Sequence, residues 1–286
     1  MSTAVAPPIT ASEGLASRAA RLPRSLVVGL VMLVVIVAIA LVGPHLVAEP
    51  NAMNLRQTLQ PPSLAHPFGT DKLGRDVLAR IVNGASVDLA FGLVVLPVFL
   101  LGTLLGLWTG THRRFDTLLM GLVDIVIAFP ALVLVIAIVA FLGPGLQNFY
   151  LAVLFFGWTS YARVVRSEVI VVRQHDYVSA VDVLGFSSGR ILLRHVLPNV
   201  AIQPVLLATT DVAAYILLGA ALGYLGLGVQ PPTAEWGVMI ADGTAFLAQA
   251  PWVSVFPGLA LVIVAIGFLL LGDGLTDVLR PEVARR

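Results

Sequence analysis

Long apolar stretches alternate with polar connections along most of this chain. A transmembrane helix needs about 20 predominantly apolar residues. Six windows fit that length, at residues 25–46, 88–110, 117–141, 149–166, 199–223 and 253–272. The pattern predicts an all-α integral membrane protein with six transmembrane helices. The first window is longer than the apolar core of a signal peptide, so we interpret it as a retained helix.

The polar stretches between these windows define the predicted organisation. We predict a cytoplasmic tail, a first helix, an extracytoplasmic loop, a five-helix core and a second cytoplasmic tail, at residues 1–24, 25–46, 47–87, 88–275 and 276–286. Within the core, a long polar loop at 167–198 is predicted to be cytoplasmic. Consecutive spans need only short connections. A long, helix-forming loop therefore indicates contact with another protein.

Local signals predict short helices outside the spans. Thr70 or Asp71 is placed to cap one helix and Asp76 another, because a side-chain oxygen there accepts from free backbone N–H groups. The segment 236–247 is predicted to form an amphipathic or re-entrant helix.

Composition supports the membrane assignment, and the basic residues predict the orientation. The chain is 58% hydrophobic and 12% charged, with a mean hydropathy of +0.95, outside the range of soluble globular domains. Lys and Arg concentrate on the cytoplasmic side of membrane proteins. With both termini inside, four basic residues are external (Arg56, Lys72, Arg75, Arg80) and the other thirteen are cytoplasmic. The net charge of +1 hides this asymmetry and does not indicate nucleic acid binding.

The residue inventory excludes several kinds of chemistry. The chain has no Cys, which excludes disulfides, thiol catalysis and Cys-ligated metals. A Walker A loop needs Lys beside glycines, and the only Lys is Lys72 on the predicted external side, so we expect no ATP hydrolysis by this chain. Ser160 and His175 are not placed as a nucleophile and base, and the histidine spacing indicates no metal site.

The cytoplasmic segment 177–199 has the pattern of two short helices. Asp176 is placed to cap a helix from Tyr177. Gly185 stands where a left-handed C-terminal cap is favoured. The first helix carries Tyr177, Ala180, Val181 and Leu184 on one face, whereas Ser179 points elsewhere. A groove in a partner protein and the bilayer surface are both suitable contacts for this apolar face.

Ser187 or Ser188 can cap the second short helix. That helix carries Arg190 and Arg194, and Pro198 marks the start of the next span, where a missing backbone donor costs no helical hydrogen bond.

Two ionisable residues lie within predicted spans, Asp124 and Asp211. Such groups face protein or water and often mark a transport pathway. Either could instead form a structural pair with a polar group, with Arg113 or Arg114 the expected partner of Asp124. Pro130 and Pro204 are predicted to kink their helices and shape the pathway; Asp124, Asp211 and Pro204 are the candidate pathway residues.

The segment 177–199 resembles the cytoplasmic EAA loop of permease subunits in binding-protein-dependent ABC importers. That pattern has EAA, three residues, Gly, nine residues, Ile, one residue and Leu-Pro. Ser179-Ala180-Val181 stands at the EAA position, Gly185 at the glycine, His195 at the Ile, and Leu197-Pro198 at the end. The ending at 194–199 resembles the dipeptide, oligopeptide and nickel branch. So do other segments of its C-type subunit, at 66–76, 226–237, 251–258 and 271–275.

The resemblance implies a type I ABC importer permease in a bacterial inner (plasma) membrane. It implies a B-type permease partner, two ATPase subunits or one fused ATPase that bind ATP and Mg, and an extracytoplasmic substrate-binding protein, with the bilayer around the spans. It implies no cofactor in this chain. By the resemblance, the ATPase contacts fall on Asp176, Tyr177, Ser179, Ala180, Val181, Leu184, Gly185, Arg190, Arg194 and Pro198.

The branch also carries nickel or haem-like solutes, so the cargo stays open between these and peptides. A stand-alone secondary transporter is the competing hypothesis, but such proteins show repeated halves, and no clear repeat is present. The family commonly has an acidic residue and Ser where this chain has Gly219 and Gly223. A polar pathway contact is therefore expected to be missing or supplied by the partner.

Overall fold

The computed structural model describes residues 22–279, without the side chains of Arg113, Arg114, Ser179 and Asp182. The predicted tails therefore lie mostly outside the described residues. Within them the fold is all-helical. The described part of the chain has twelve α-helices in order: α1 Arg24–Val42, α2 Val77–Leu93, α3 Val95–Thr111, α4 Arg113–Ile127, α5 Ala131–Leu142, α6 Leu146–Arg173, α7 Asp176–Val183, α8 Ser188–Ile191, α9 Leu197–Val200, α10 Ile202–Tyr224, α11 Trp236–Thr244 and α12 Trp252–Leu279.

The second apolar window belongs to a longer helix than predicted. α2 and α3 form a run of 35 residues that begins at Val77, well before residue 88. Asp76 caps it as predicted, since its Oδ1 accepts from the Ala79 N–H at 2.8 Å. Asp71 instead accepts from the N–H groups of Leu73 and Arg75, at 2.8 and 2.9 Å, and closes a turn with no helix after it.

The third window is two helices and not one. α4 and α5 are bent by 86° at a short break. Pro130 stands at the N-cap of α5, and its fixed φ and missing N–H suit that position. The predicted kink is therefore a complete break.

Within residues 22–279, four helical runs are long and apolar enough to cross a membrane, or five if α4 and α5 together make one span. The runs are 24–45, 77–111, 202–224 and 252–279. α6 has the length, with 28 residues, but its charged residues make it too polar. Two of those charges meet acids of α4: Arg163 contacts Asp124 and Arg166 contacts Asp116. These ion pairs compensate the charges that make α6 look polar in sequence.

Glycines allow the closest helix contacts in the bundle. Gly102 and Gly106 on α3 lie against the α6 backbone: a Cβ added at either would come within 2.4 Å of the Trp158 carbonyl oxygen or 2.6 Å of the Ala162 carbonyl oxygen. At the crossing of α1 and α12, Gly29 and Gly274 play the same role. Small residues let helix backbones approach in membranes, where the hydrophobic effect does not drive association.

The segment 47–76 and α11 cover the end of the bundle where α2 begins. α11 forms within the predicted segment 236–247 and buries Trp236 and Met239 against α2, α10 and α12. Ion pairs join the cover: Lys72 contacts Asp242 at 2.7 Å and Arg75 contacts Asp71 at 2.6 Å.

Candidate functional site

At the opposite end of the bundle, α7 and α8 form a hairpin beyond the end of α6. Gly185 lies between them at φ +80°, a conformation that costs a residue with a Cβ about 1–2 kcal/mol. The prediction of two short helices meeting at this glycine is confirmed. Asp176 is the first residue of α7, one position later than the predicted cap. There its carboxylate still lies beside the free N–H groups of the first turn.

The return arm of the hairpin is less regular than predicted. Ser187 takes the N-cap position of α8, but its side chain makes no capping hydrogen bond. Arg190 lies 5.4 Å from the centre of the Phe186 ring. Arg194 falls in a five-residue π-helical turn, 192–196. Such turns often occur at functional positions. Pro198 lies in the first turn of the four-residue helix α9, and the span that it was predicted to start begins only at Ile202 with α10.

One face of the hairpin is buried against its own chain. Val178 is only 5% exposed, and Val181 is partly buried beside it. Val181 was predicted to share the exposed face of Tyr177, Ala180 and Leu184. This was wrong, because Val181 packs towards α6. The core beneath the hairpin consists of Leu107, Val165, Val169, Val172, Val178, Ile191, Val196 and Val200. Each fully buried aliphatic side chain contributes about 1.5–3 kcal/mol, so this core fixes the hairpin to α6.

The opposite face of the hairpin is apolar and exposed. Val183 is 88% exposed and Leu184 is 73% exposed, and Tyr177 is nearly half exposed. Ala180 lies on the same side and is exposed. The side chain of Ser179 lies outside the described residues. We call Tyr177, Ala180, Val183 and Leu184 the apolar tip. Contiguous exposed apolar groups of this kind mark interaction surfaces.

A cavity of about 270 Å³ lies beside the hairpin, between the ends of α3, α6 and α8. His112, Arg173, Ser188 and Leu192 are among its lining residues. Arg173 donates to the Thr111 carbonyl at 3.5 Å, which ties the end of α6 to the end of α3. This end of the bundle therefore combines a projecting apolar tip with a concave surface of mixed polar and apolar lining.

The two intramembrane acids lie on different sides of α6. Tyr161 donates to Asp211 Oδ2 at 2.7 Å. Asp124 contacts Arg163 and is 70% exposed. Residues two apart on a helix point in different directions, so the structure does not bring Asp124 and Asp211 together.

Among the described side chains, Arg163 of α6 pairs with Asp124, a partner that was not predicted, because α4 packs along α6. The predicted partners, Arg113 and Arg114, have side chains outside the described residues. Pro204 is buried in the first turn of α10, where it removes no helical hydrogen bond.

Gly219 and Gly223 make room for larger side chains. A Cβ at Gly219 would lie 2.3 Å from the Phe91 ring, and one at Gly223 would lie 1.9 Å from Glu235 Oε2. Glu235 is fully buried, as is Asp88 of α2. Neither carboxyl was predicted as a candidate site residue from the sequence. The one available signal was the position of Glu235 before Trp236-Gly237, where it caps α11.

Comparisons with known proteins agree on one kind of protein. Residues 99–285 match the family described as binding-protein-dependent transport system inner membrane component. Residues 24–62 match the N-terminal TM domain of oligopeptide transport permease C.

Several curated proteins are similar over most of their length. A peptide transport system permease protein of Brucella suis is 43% identical over 91% of this chain and 88% of its own. The dipeptide transport system permease protein DppC of Alkalihalophilus pseudofirmus is 42% identical over 90% and 86%. The glutathione transport system permease protein GsiD of Escherichia coli is 40% identical over 78% and 74%.

Proposed function

We propose that this chain, which belongs to the family of binding-protein-dependent transport system inner membrane components, is the C-type permease subunit of an ATP-driven importer of dipeptides or oligopeptides. The match to the N-terminal domain of oligopeptide permease C supports the subunit type. The relatives named for peptide and dipeptide transport support the cargo. As a multi-pass inner membrane protein, the chain forms part of the wall of the translocation path.

The proposed topology has six spans: α1, α2–α3, α4–α5, α6, α10 and α12. Both termini are cytoplasmic, and the α7–α8 hairpin lies inside. The 28-residue length of α6 and the compensation of its charges by α4 support the sixth span.

Cysteine labelling tests this topology, because the chain has no Cys of its own. Leu64→Cys, fully exposed at the α11 end, is expected to react with a membrane-impermeant maleimide in intact spheroplasts. Val183→Cys is expected to react only after permeabilisation. Labelling of Val183→Cys in intact spheroplasts would reverse the orientation.

The proposed complex contains a B-type permease, two ATPase subunits or one fused ATPase, and an extracytoplasmic binding protein. In this division of labour the partners bind ATP and Mg, and this chain is not an enzyme. The observation that carries the proposal is the apolar tip on a hairpin fixed to α6. We propose that the tip, with Asp176, Gly185, Arg190, Arg194 and Pro198 forming or shaping the hairpin, seats in a cleft on one ATPase.

Closure of the two ATPases would then move the chain as a lever. The hairpin shares a core with α6 and continues through α9 into α10. Displacement of the tip is therefore expected to move α6 and α10, whose side chains Tyr161 and Asp211 meet inside the bundle. This is alternating access driven from the nucleotide-binding side.

Co-purification is the direct test of the assembly. The tagged chain, expressed with its neighbouring transport genes, is expected to retain a second permease and two ATPases in detergent. ATP-dependent uptake by the reconstituted complex supports the importer. Uptake by this chain alone, driven by a proton gradient, would instead support a secondary transporter. Competition with peptides, nickel complexes and haem in the same assay identifies the cargo.

Asp211 is the strongest candidate for attracting the ammonium group of a peptide. Asp211→Asn keeps an acceptor for the Tyr161 hydroxyl but removes the charge. We expect uptake of peptides with free amino termini to fall several-fold, and uptake of N-acetylated peptides to change less. Asp124→Asn removes the other intramembrane acid, which contacts Arg163 and lies away from Asp211, and is expected to change uptake of both peptide types by the same factor. Equal loss for both peptide types would assign Asp211 a structural role.

A further inference from the structure

Two buried carboxyl groups meet behind α11, at the end of the bundle away from the hairpin. Asp88 of α2 and Glu235 at the start of α11 are both 0% exposed. Asp88 Oδ2 accepts from the backbone N–H of Trp236 at 3.0 Å. Glu235 Oε1 accepts from the Gly237 N–H at 2.6 Å and Oε2 from the Val238 N–H at 2.8 Å.

No cation of the described residues neutralises this pair. Arg80, which lies about two helical turns before Asp88 on α2, donates to Asn51 Oδ1 at 3.0 Å. The charged groups that interact with Arg80 are Asp71, Arg75 and Asp242. Asp242 of α11 pairs with Lys72. Each carboxyl instead interacts directly with the other.

The other elements around the pair also supply no counter-charge among the described residues. Tyr150 of α6 donates to the Ala90 carbonyl. On α10, Asp211 lies twelve residues before Gly223, about 18 Å along the axis. The remaining titratable groups are exposed or lie towards the other end of the bundle: His45 and Glu49 after α1, Tyr224 and Tyr215 on α10, and Asp273 and Asp277 on α12.

The hydrogen bonds show which oxygen is short of a partner. Both oxygens of Glu235 accept backbone N–H groups, and one oxygen of Asp88 does. Asp88 Oδ1 is fully buried and has no hydrogen-bond donor among the described residues. Two adjacent carboxyls without a cation cannot both be ionised in a dry site. A proton on Asp88 Oδ1 would remove the repulsion and would itself be donated to Glu235.

We infer that Asp88 and Glu235 bind one proton between them, held on Asp88 Oδ1, and that this proton locks α11 onto α2 and α10. The backbones of α11 and α10 are in close contact at this point, since a Cβ at Gly237 would lie 1.9 Å from the Ala220 carbonyl oxygen of α10. Burial raises the pKa of the Glu235 carboxyl, and its two backbone hydrogen bonds oppose that rise. This inference does not depend on the proposed function.

The direction of the pH dependence follows from the pair as a whole, because the two buried carboxyls bind their shared proton more tightly in the folded than in the unfolded state. A carboxyl whose pKa is higher in the folded state stabilises that state when it is protonated. The stabilisation is present at pH values below the unfolded pKa and is lost as the pH rises through the folded pKa. We therefore expect α11 to loosen in alkaline solution, when the pair loses its proton and two buried like charges face each other.

A buried reporter on α11 tests the lock in the assembled complex. Met239 is 3% exposed, so Met239→Cys reacts with a maleimide only when α11 lifts. Ala245→Cys, exposed at the C-cap position directly after α11, corrects for the pH dependence of the thiol itself. The corrected rate for Met239→Cys is expected to rise about tenfold on alkalinisation, which corresponds to about 1.4 kcal/mol of local stability.

Asp88→Asn is the matched variant, because an amide of the same shape accepts from Trp236 and donates to Glu235 without a titratable proton. In Met239→Cys/Asp88→Asn the corrected rate is expected to be independent of pH. Difference infrared spectra of the wild type are expected to show the C=O band of a protonated carboxyl at neutral pH, absent from Asp88→Asn. A flat rate in the wild-type background, an unchanged pH response in the variant, or absence of the band would each overturn the inference. If Asp88→Asn fails to assemble, pH titration of the wild-type band decides alone.

Discussion

Ala180→Glu is expected to reduce ATP-driven uptake by about tenfold or more while leaving ATP hydrolysis in the complex active. Ala180 is exposed on the apolar tip and makes none of the core contacts under the hairpin. The new carboxylate would therefore not disturb the fold of this chain. Seated in an apolar cleft it would be buried without a partner, and each 1.4 kcal/mol of that cost reduces productive contact tenfold. Uptake and ATPase rates measured on the same proteoliposomes check this uncoupling.

Two matched variants distinguish the effect of a charge at position 180 from the effect of any substitution there and from the effect of the same charge elsewhere. Ala180→Ser changes the same position without a charge and is expected to retain most of the uptake. Leu64→Glu adds the same charge at a fully exposed leucine at the other end of the bundle and is expected to leave the ratio of uptake to ATP hydrolysis unchanged. Normal uptake by Ala180→Glu would count against a contact between the tip and a motor subunit.

Replacing both Gly102 and Gly106 with Ala is expected to destabilise the bundle by about 2 kcal/mol. Each added methyl would clash with an α6 carbonyl, and overpacking of this kind costs about 1–3 kcal/mol per site. The better helix propensity of Ala returns about 1 kcal/mol per site. The net change in stability is unfavourable because the clashing atoms belong to the backbone of α6, which cannot move aside as a flexible side chain can. Thermal unfolding in detergent, monitored by loss of monodisperse protein, measures the change.

Gly121→Ala on α4 is the control for this pair, because no atom lies within 4 Å of the position its Cβ would take. The substitution is expected to be neutral or stabilising, since it keeps the propensity gain without the clash. Equal destabilisation by the two changes would show that the α3–α6 contact is not set by its glycines.

Local signals in the sequence predicted the ends of elements well. Asp76 caps α2, Gly185 reverses the hairpin, and a short helix lies within the segment 236–247. Each of these depends on the conformational preference of one residue or on hydrogen bonds to nearby backbone. Such information is contained in a few adjacent residues.

Features that depend on packing between distant segments could not be obtained this way. A proline in an apolar run predicts a kink, but the 86° bend between α4 and α5 is set by what each half packs against. Asp88 and Glu235 meet only because Gly223 leaves space for a carboxylate. Likewise, Val181 turns inward because Val178 and α6 form the core there, which helical spacing alone does not reveal.

The length of the α2–α3 run has a consequence for the shape of the protein. Its 35 residues extend about 52 Å at 1.5 Å per residue, whereas the hydrocarbon layer of a bilayer is about 30 Å thick. Roughly two-fifths of the run's length must therefore stand clear of the lipid or be taken up by tilt. The segment 47–76 and α11, which pack on the end at Val77 and are joined by ion pairs, are suited to water. The α2–α3 run therefore holds them outside the hydrocarbon layer. The segment 47–76 and α11 would together present a preformed binding surface to any molecule that approaches that end of the protein.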